Sequence, residues 1–294
     1  MNRKFQIVSD SSSDMTKEYF EKNQIELVRL GFMLNDVNYC GEDGEEIDIR
    51  EFYNLMRDGA MPTTYQVSIE VAKIHIRKYL EQGKDVLVIV FSGGLSGTAS
   101  SFTVASRKLQ EEFPDRKIEV VDSLCASMGE GLLLDYVVKK ADTGASLEET
   151  KAYAEELKLH ICHEFTVDDL FHLKRGGRVS SATAIMGTVL KIKPVLHVDD
   201  AGKLISVGKV MGRKKSIREL FATLCKMQSM EKGDPIFISH GDCADEVEYL
   251  VSLLKESFPD NPITVGYVGA VIGAHSGAGT IALFYKGKSR NCKE

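Results

Sequence analysis

The run Asp85–Thr98, DVLVIVFSGGLSGT, constrains the fold more than any other stretch of this 294-residue chain. Val86 to Phe91 is an unbroken series of β-branched, aliphatic and aromatic residues, the pattern of a strand covered on both faces, as parallel strands are. A polar loop follows at once through Ser92, Gly93, Gly94, Ser96, Gly97 and Thr98, and a helix is predicted from about Gly97 to Phe113. Beyond the carboxyl end of such a strand, loop amides, short hydroxyls and the positive end of a helix dipole can converge on an anion. The spacing is not that of the common phosphate grips. No Lys-Ser or Lys-Thr pair follows the glycines, and G-x-G-x-x-G is absent. Taken alone, the loop also reads as a tight strand-to-helix turn with no ligand.

The rest of the chain supplies the context. Phe5–Ser9 is a short apolar strand ending in Ser9-Asp10-Ser11-Ser12-Ser13-Asp14, and Ile118–Val121 is another ending in Asp122-Ser123. Three strands, ending near Val8, Val90 and Val121, thus deliver Ser or Asp to what a parallel sheet makes one common edge. Pro62–Thr64 reads as a connection, and Ser68 as the cap of a helix that stops at Gly83. Ser146 and Glu149 form a capping box that opens a helix to about Ile161, and the domain change is placed there, giving units 1–160 and 161–294.

The second half has a different grammar. Lys174–Arg178 is a basic glycine turn, Ala182–Leu190 an apolar helix, and Pro194–Val198 pairs with Leu204–Val210 as an antiparallel hairpin. Strands at Ile236–Ser239, Ile263–Val268 and Ile281–Tyr285 complete a mixed sheet. Val268–Gly279, VGAVIGAHSGAG, reads as a glycine-dense loop around His275 that lets backbone approach a ligand closely. A histidine satisfied within the loop is the plainer reading of that residue. The fold class expected is α/β, with an N-terminal, mostly parallel sheet and a C-terminal mixed α/β domain.

Composition narrows the function. The net charge of −6 argues against a general nucleic-acid binder, although Lys209–Arg218 is locally basic. Six cysteines with no C-x-x-C pair fit reduced thiols in a cytoplasm. The first residues run directly into a strand with no signal-peptide pattern, and no apolar run has the length of a membrane span, so a cytosolic protein is expected. His160, Cys162 and His163 lack the spacing of a zinc site, and no metal or cofactor is expected. Cys125, between Ser123 and Ser127, reads as a small buried thiol before it reads as a nucleophile. No G-x-S-x-G elbow anchors a hydrolase triad.

Seven blocks, in order, carry a likeness across nearly the whole chain: Ile7–Ser13 (IVSDSSS), Pro62–Ser68 (PTTYQVS), Phe91–Thr98 (FSGGLSGT), Val121–Gly129 (VDSLCASMG), Leu173–Ser180 (LKRGGRVS), Ile192–Val195 (IKPV) and Val271–Gly279 (VIGAHSGAG). Together they resemble the DegV family of bacterial fatty-acid-binding proteins. The resemblance implies two α/β domains with a fatty acid carboxylate at their junction and the acyl tail in the second domain. It further implies that the chain is a carrier, not an enzyme, and presents the carboxyl group to a separate fatty acid kinase for phosphorylation to an acyl phosphate.

By the same resemblance, Thr64 matches the threonine of the family's Thr-Ser motif, with Tyr65 where serine is usual. Ser92 matches the first serine of the Ser-Ser-x-Leu-Ser-Gly-Thr loop, Gly93 replaces the second, and Ser96 and Thr98 are kept. Arg178 and His275 fall on the Gly-Gly-Arg arginine and the glycine-flanked histidine. The missing hydroxyl at Gly93 implies altered or water-mediated head-group contacts. Met211 stands where the family usually has arginine, leaving Arg213 as the retained cation of that strand end, expected to face water and meet the kinase. Ala184, Ile185, Met186, Val189 and Leu190 offer a pliable wall for the tail, although core packing of a helix explains each of them equally. The competing reading is a small-molecule enzyme that uses the same interdomain anion site for a carboxylated or phosphorylated substrate, with His275 as acid or base.

Overall fold

The computed structural model describes residues 3–168, 170–180 and 191–290. In chain order the first half comprises β1 (Phe5–Asp10), α1 (Lys17–Lys22), β2 (Glu26–Val28), β3 (Gly31–Leu34), β4 (Val37–Cys40), α2 (Ile49–Arg57), β5 (Thr63–Tyr65), α3 (Ile69–Leu80), β6 (Asp85–Val90), α4 (Thr98–Glu112), β7 (Ile118–Asp122), α5 (Met128–Asp142) and α6 (Leu147–Leu157). The second half comprises β8 (Ile161–Thr166), α7 (Phe171–Arg175), β9 (Ile192–Val198), β10 (Leu204–Met211), α8 (Arg213–Met227), β11 (Ile236–His240), α9 (Ala244–Ser257), β12 (Ile263–Tyr267), α10 (Ala270–Ser276) and β13 (Ile281–Lys286).

Three sheets result. The first is wholly parallel, in the order β2-β1-β6-β7, so β1, β6 and β7 do bring their carboxyl ends to one edge. The second is mixed, β10-β9-β8-β13-β11-β12, and draws all its strands from residues after 160. The third is a small antiparallel ribbon, β4-β3-β5. Helix α5 joins the two large sheets. Leu132, Leu133, Leu134, Val137 and Val138 are buried around its circumference, as expected of a helix covered on all sides. One continuous core holds Ile7, Leu87 and Ile89 of the first sheet, these α5 residues, and Phe165, Leu196, Phe237 and Phe284 of the second.

Three expectations change. Thr63 and Thr64 are not in a bare connection: with Tyr65 they form β5, whose Thr64 pairs with Phe32 on β3. The capping box at Ser146 is present, but its helix ends at Leu157 and Ile161 begins strand β8. That strand lies between β9 and β13 with all six residues buried, and its Cys, His and Glu side chains hide an interior strand behind polar letters. Burial pushes the Glu164 carboxyl up to about 8, so it enters the interior uncharged at neutral pH. Finally, the glycine-dense stretch before β13 contains helix α10, and His275 sits in its last turn. The expected helix Ala182–Leu190, with Ala184, Ile185, Met186, Val189 and Leu190, lies outside the described residues.

Candidate functional site

The loop after β6 is held by its neighbours. Asp10 at the end of β1 accepts from the Phe91 amide at 2.9 Å, and Asp122 at the end of β7 accepts from the amides of Gly93 and Leu124, each at 3.0 Å. Within the loop, the Leu95 and Ser96 amides donate to the Ser92 carbonyl, the Gly94 amide to Ser92 Oγ, and the Thr98 amide to Ser96 Oγ. Of the free amides expected here, those of Gly93, Gly94, Leu95, Ser96 and Thr98 are therefore already spent on local bonds. What remains at the loop is the positive end of α4, whose N-cap Gly97 lines the cavity described next.

That cavity, about 340 Å³, lies where the loop, β5, α10 and the second sheet meet. Its volume falls in the usual range for small-molecule sites. Phe91, Leu95, Phe165, Val198, Leu204 and Val271 give it an apolar wall, and Thr64, Ser96, Arg178 and His275 a polar one. These four, drawn from β5, the β6–α4 loop, the turn after α7 and α10, are the expected ligand residues that the fold brings together. No aspartate or glutamate is among the described residues that line it.

The other three loop residues point elsewhere. Ser92 Oγ donates to the Gly202 carbonyl at 2.8 Å, fastening the β9–β10 turn to the first sheet. Thr98 is buried at the start of α4, with its Oγ1 3.0 Å from Ser96 Oγ. At Gly93 a Cβ would stand 2.5 Å from Asp122 Oδ2, so a side chain there would meet that carboxylate and not the cavity. In this chain the missing hydroxyl at Gly93 thus opens room for Asp122.

The polar wall is short of negative charge. Arg178 is half-buried, and its guanidinium donates to the carbonyls of Leu95 and Gly176, with burial lowering its pKa and no carboxylate beside it among the described residues. His275 Nε2 lies 2.8 Å from Thr64 Oγ1, while Nδ1 is buried without a hydrogen-bond partner among the described residues. Burial, then the charges of Arg178 and Arg175, hold the imidazole down to about 4, so it is neutral at pH 7. If Thr64 donates to Nε2, Nδ1 carries the proton. Gly176 packs against this atom, and a Cβ there would collide with Nδ1.

Arg175 was not singled out in the sequence, yet it ties two parts of the site together. It donates to the carbonyls of Pro62, just before β5, and of Ala274, next to His275. Its place in the Lys-Arg-Gly-Gly-Arg turn was the available signal. Ser127, His163 and Ser239 also line the cavity. Only Ser127 lay in a block of family likeness, and nothing local in Ile-Ser-His marks Ser239.

Arg213 differs from expectation. Its side chain is only 15% exposed, pairs with Glu246 at 2.7 Å, and donates to the Gly279 carbonyl. It is turned inward, bracing the segment between α10 and β13, whereas Lys214 and Lys215 are exposed. Met211, at the end of an edge strand, is 67% exposed.

Comparison with known proteins gives the family. Residues 4–288 match the family model described as "Uncharacterised protein, DegV family COG1307". The DegV domain-containing protein CPE0026 of Clostridium perfringens is 39% identical over 288 residues, covering 98% of this chain and 99% of that protein. A DegV family protein of Thermus thermophilus, solved for its fatty acid binding, superposes with a TM-score of 0.86 at 32% identity, over 96% of this chain and 99% of that one. A DegV lipid-binding protein of Thermotoga maritima does so with a TM-score of 0.82 at 30% identity, over 98% and 100%.

Proposed function

The chain belongs to the DegV family, and from that premise we propose that it binds a long-chain fatty acid and presents the carboxylate to a separate fatty acid kinase. The kinase would phosphorylate the carboxylate from ATP to give an acyl phosphate. On this reading the protein is a cytoplasmic carrier and not an enzyme, and units 1–160 and 161–294 meet at the head group. The Thermus thermophilus relative is described by its fatty acid binding and the Thermotoga maritima one as lipid-binding, which supports the ligand class.

The observation that carries the reading is the Arg178 guanidinium, half-buried at the polar wall of an apolar cavity and lacking a carboxylate among the described residues. Removing a cation from water without a counter-charge is costly, and a ligand carboxylate offsets that cost. Thr64, Ser96 and His275 would complete its hydrogen bonds. Burying about fourteen methylenes at roughly 0.8 kcal/mol each gives a gross gain on the order of 11 kcal/mol. A hydrogen bond to a charged group nets only about 1.5–3 kcal/mol, so the tail supplies affinity and the head group sets register.

The test is native mass spectrometry of the purified protein with organic extraction, followed by ATP with and without the host's fatty acid kinase. The expected result is one long-chain fatty acid per chain and acyl phosphate only when the kinase is present. Absence of lipid, together with no uptake of added fatty acid, would overturn the ligand. Acyl phosphate formed without the kinase would overturn the carrier role.

A further inference from the structure

The cavity wall also holds a polar feature that a plain acyl chain does not use. Across the second sheet, Leu196, Phe165, Ala282 and Ser239 are successive register partners on β9, β8, β13 and β11, and so share one face. Phe165, Ala282 and Ser239 all line the cavity. Ser239 is the hydroxyl in this apolar row, and it is completely buried. Opposite it, Ser127 Oγ lies 2.8 Å away and 2.5 Å from Asp14 Oδ2, a carboxyl of a partly buried residue.

The backbone of Ser127 marks the position as built. Its φ of 54° and ψ of −148° belong to a region that side-chain-bearing residues rarely enter. The two hydroxyl contacts hold it there.

The hydrogen-bond account closes in one protonation state of Asp14 and not in the other. If Asp14 is ionised, Ser127 donates to it and Ser239 donates to Ser127, which leaves acceptor lone pairs on both serines. If Asp14 is protonated the chain reverses, and the Ser239 proton is left to donate into the cavity. His163 cannot answer that need. Its Nδ1 lies 2.9 Å from the Ile161 carbonyl and its Nε2 accepts from the Ala126 amide at 3.2 Å, so both ring nitrogens are occupied. Ser276 adds a buried hydroxyl on the same cavity with no partner among the described residues.

We infer that this cavity is built for an acyl chain that carries a hydroxyl group along its length, held by Ser127 and Ser239. The inference rests on the fatty acid reading above and adds the chemical class of the chain. A hydroxyl both donates and accepts, and so matches either direction of the Asp14–Ser127–Ser239 chain; a methylene leaves the Ser239 proton without an acceptor whenever Asp14 is protonated. A ketone only accepts, and matches one direction.

The test is equilibrium binding of delipidated protein to stearic acid, to a set of monohydroxylated stearic acids with the hydroxyl stepped along the chain, and to the ketone of the best isomer. One or two adjacent isomers should bind about tenfold more tightly than stearic acid, as about one net buried hydrogen bond gives, and the ketone should gain less. In Ser239→Ala and in Ser127→Ala the ratio of that isomer to stearic acid should fall to about one. Stearic acid binding with no isomer exceeding it, or an advantage that survives both substitutions, would overturn the inference and leave the fatty acid reading in place. Failure of stearic acid and of every isomer to bind would overturn the fatty acid reading itself. The ligand series needs only the unaltered protein, so a variant that does not fold leaves the test intact.

Discussion

The two polar parts of the cavity wall are polar for opposite reasons. At one, Arg178 brings a positive charge to the wall, and His275 adds a buried nitrogen that no described residue satisfies. At the other, Ser127 and Ser239 form a chain backed by Asp14, and His163 has both nitrogens taken. The first part is incomplete in charge and the second only in hydrogen bonds. An anion is therefore matched at one place, and on the proposed reading the neutral chain lies against the other.

Reversing the charge of the first part is the most direct way to break the contrast. Arg178→Glu should lower affinity for stearic acid by about a hundredfold or more, because a ligand carboxylate then faces a buried like charge. Affinity for the corresponding fatty alcohol should change far less. Isothermal titration with both ligands checks this, and equal losses would mean that Arg178 shapes the wall instead of neutralising a head group.

The second part is probed through Asp14. Burial, eased by hydrogen bonds from Ser127 and the Gly269 amide, pushes this carboxyl up to about 7. A folded-state value above the unfolded one means that the folded chain binds the extra proton, so stability falls as pH rises from about 4 to about 7 and then levels. Asp14→Asn removes that loss. Its gain in unfolding free energy over the parent, read from denaturant melts, should widen across this window and stay constant above it, approaching on the order of 4 kcal/mol. Buried histidines titrate in the opposite sense, so the difference between the two proteins, not either curve alone, is the quantity to read. A difference that does not vary with pH would place the titration elsewhere.

How much of this was legible in the sequence follows from how local each signal is. The apolar run Val86–Val90 and its loop fixed one strand–helix unit, and the polar endings of β1, β6 and β7 foretold their shared edge, because each is written in consecutive residues. Strand β8 was missed because its interior positions carry Cys162, His163 and Glu164. Only its two neighbours in the sheet reveal that they are buried, and both come from later in the chain. Thr64, Ser96, Arg178 and His275 were found through motif likeness, yet the same likeness could not separate Ser96 from Ser92. That distinction depends on the β9–β10 turn, more than a hundred residues away by its contact with Gly202. Arg213 misled for a related reason, since its partners Glu246 and Gly279 lie far along the chain.

Within the first part, Gly176 sharpens the role of His275. A Cβ at this position collides with Nδ1, so Gly176→Ala must turn or push the imidazole away from Thr64. About a tenfold loss of fatty acid affinity is expected, equal to roughly 1.4 kcal/mol, with little change in melting temperature because the turn is partly exposed. Crystallography of the variant with the histidine unmoved, or unaltered affinity with the histidine moved, would remove His275 from the head-group contacts.

The smallest expected effect separates two serines that the sequence treats alike. Ser92 and Ser96 share one loop, but Ser92 Oγ faces the Gly202 carbonyl and the Gly94 amide, whereas Ser96 lines the cavity. Ser92→Ala leaves a buried carbonyl and a loop amide without their partner, which should cost about 1–2 kcal/mol of stability. Its affinity for stearic acid should stay within about twofold, since the hydroxyl that is lost points at the hairpin turn and not at the ligand. Ser96→Ala should show the converse, a several-fold weaker complex with a smaller change in stability. Denaturant melts and titrations of the two variants side by side decide the matter. Should Ser92→Ala weaken binding as much as Ser96→Ala, the fastening of the β9–β10 turn to the loop would itself be part of the anion site, and the charged part would extend into the second sheet.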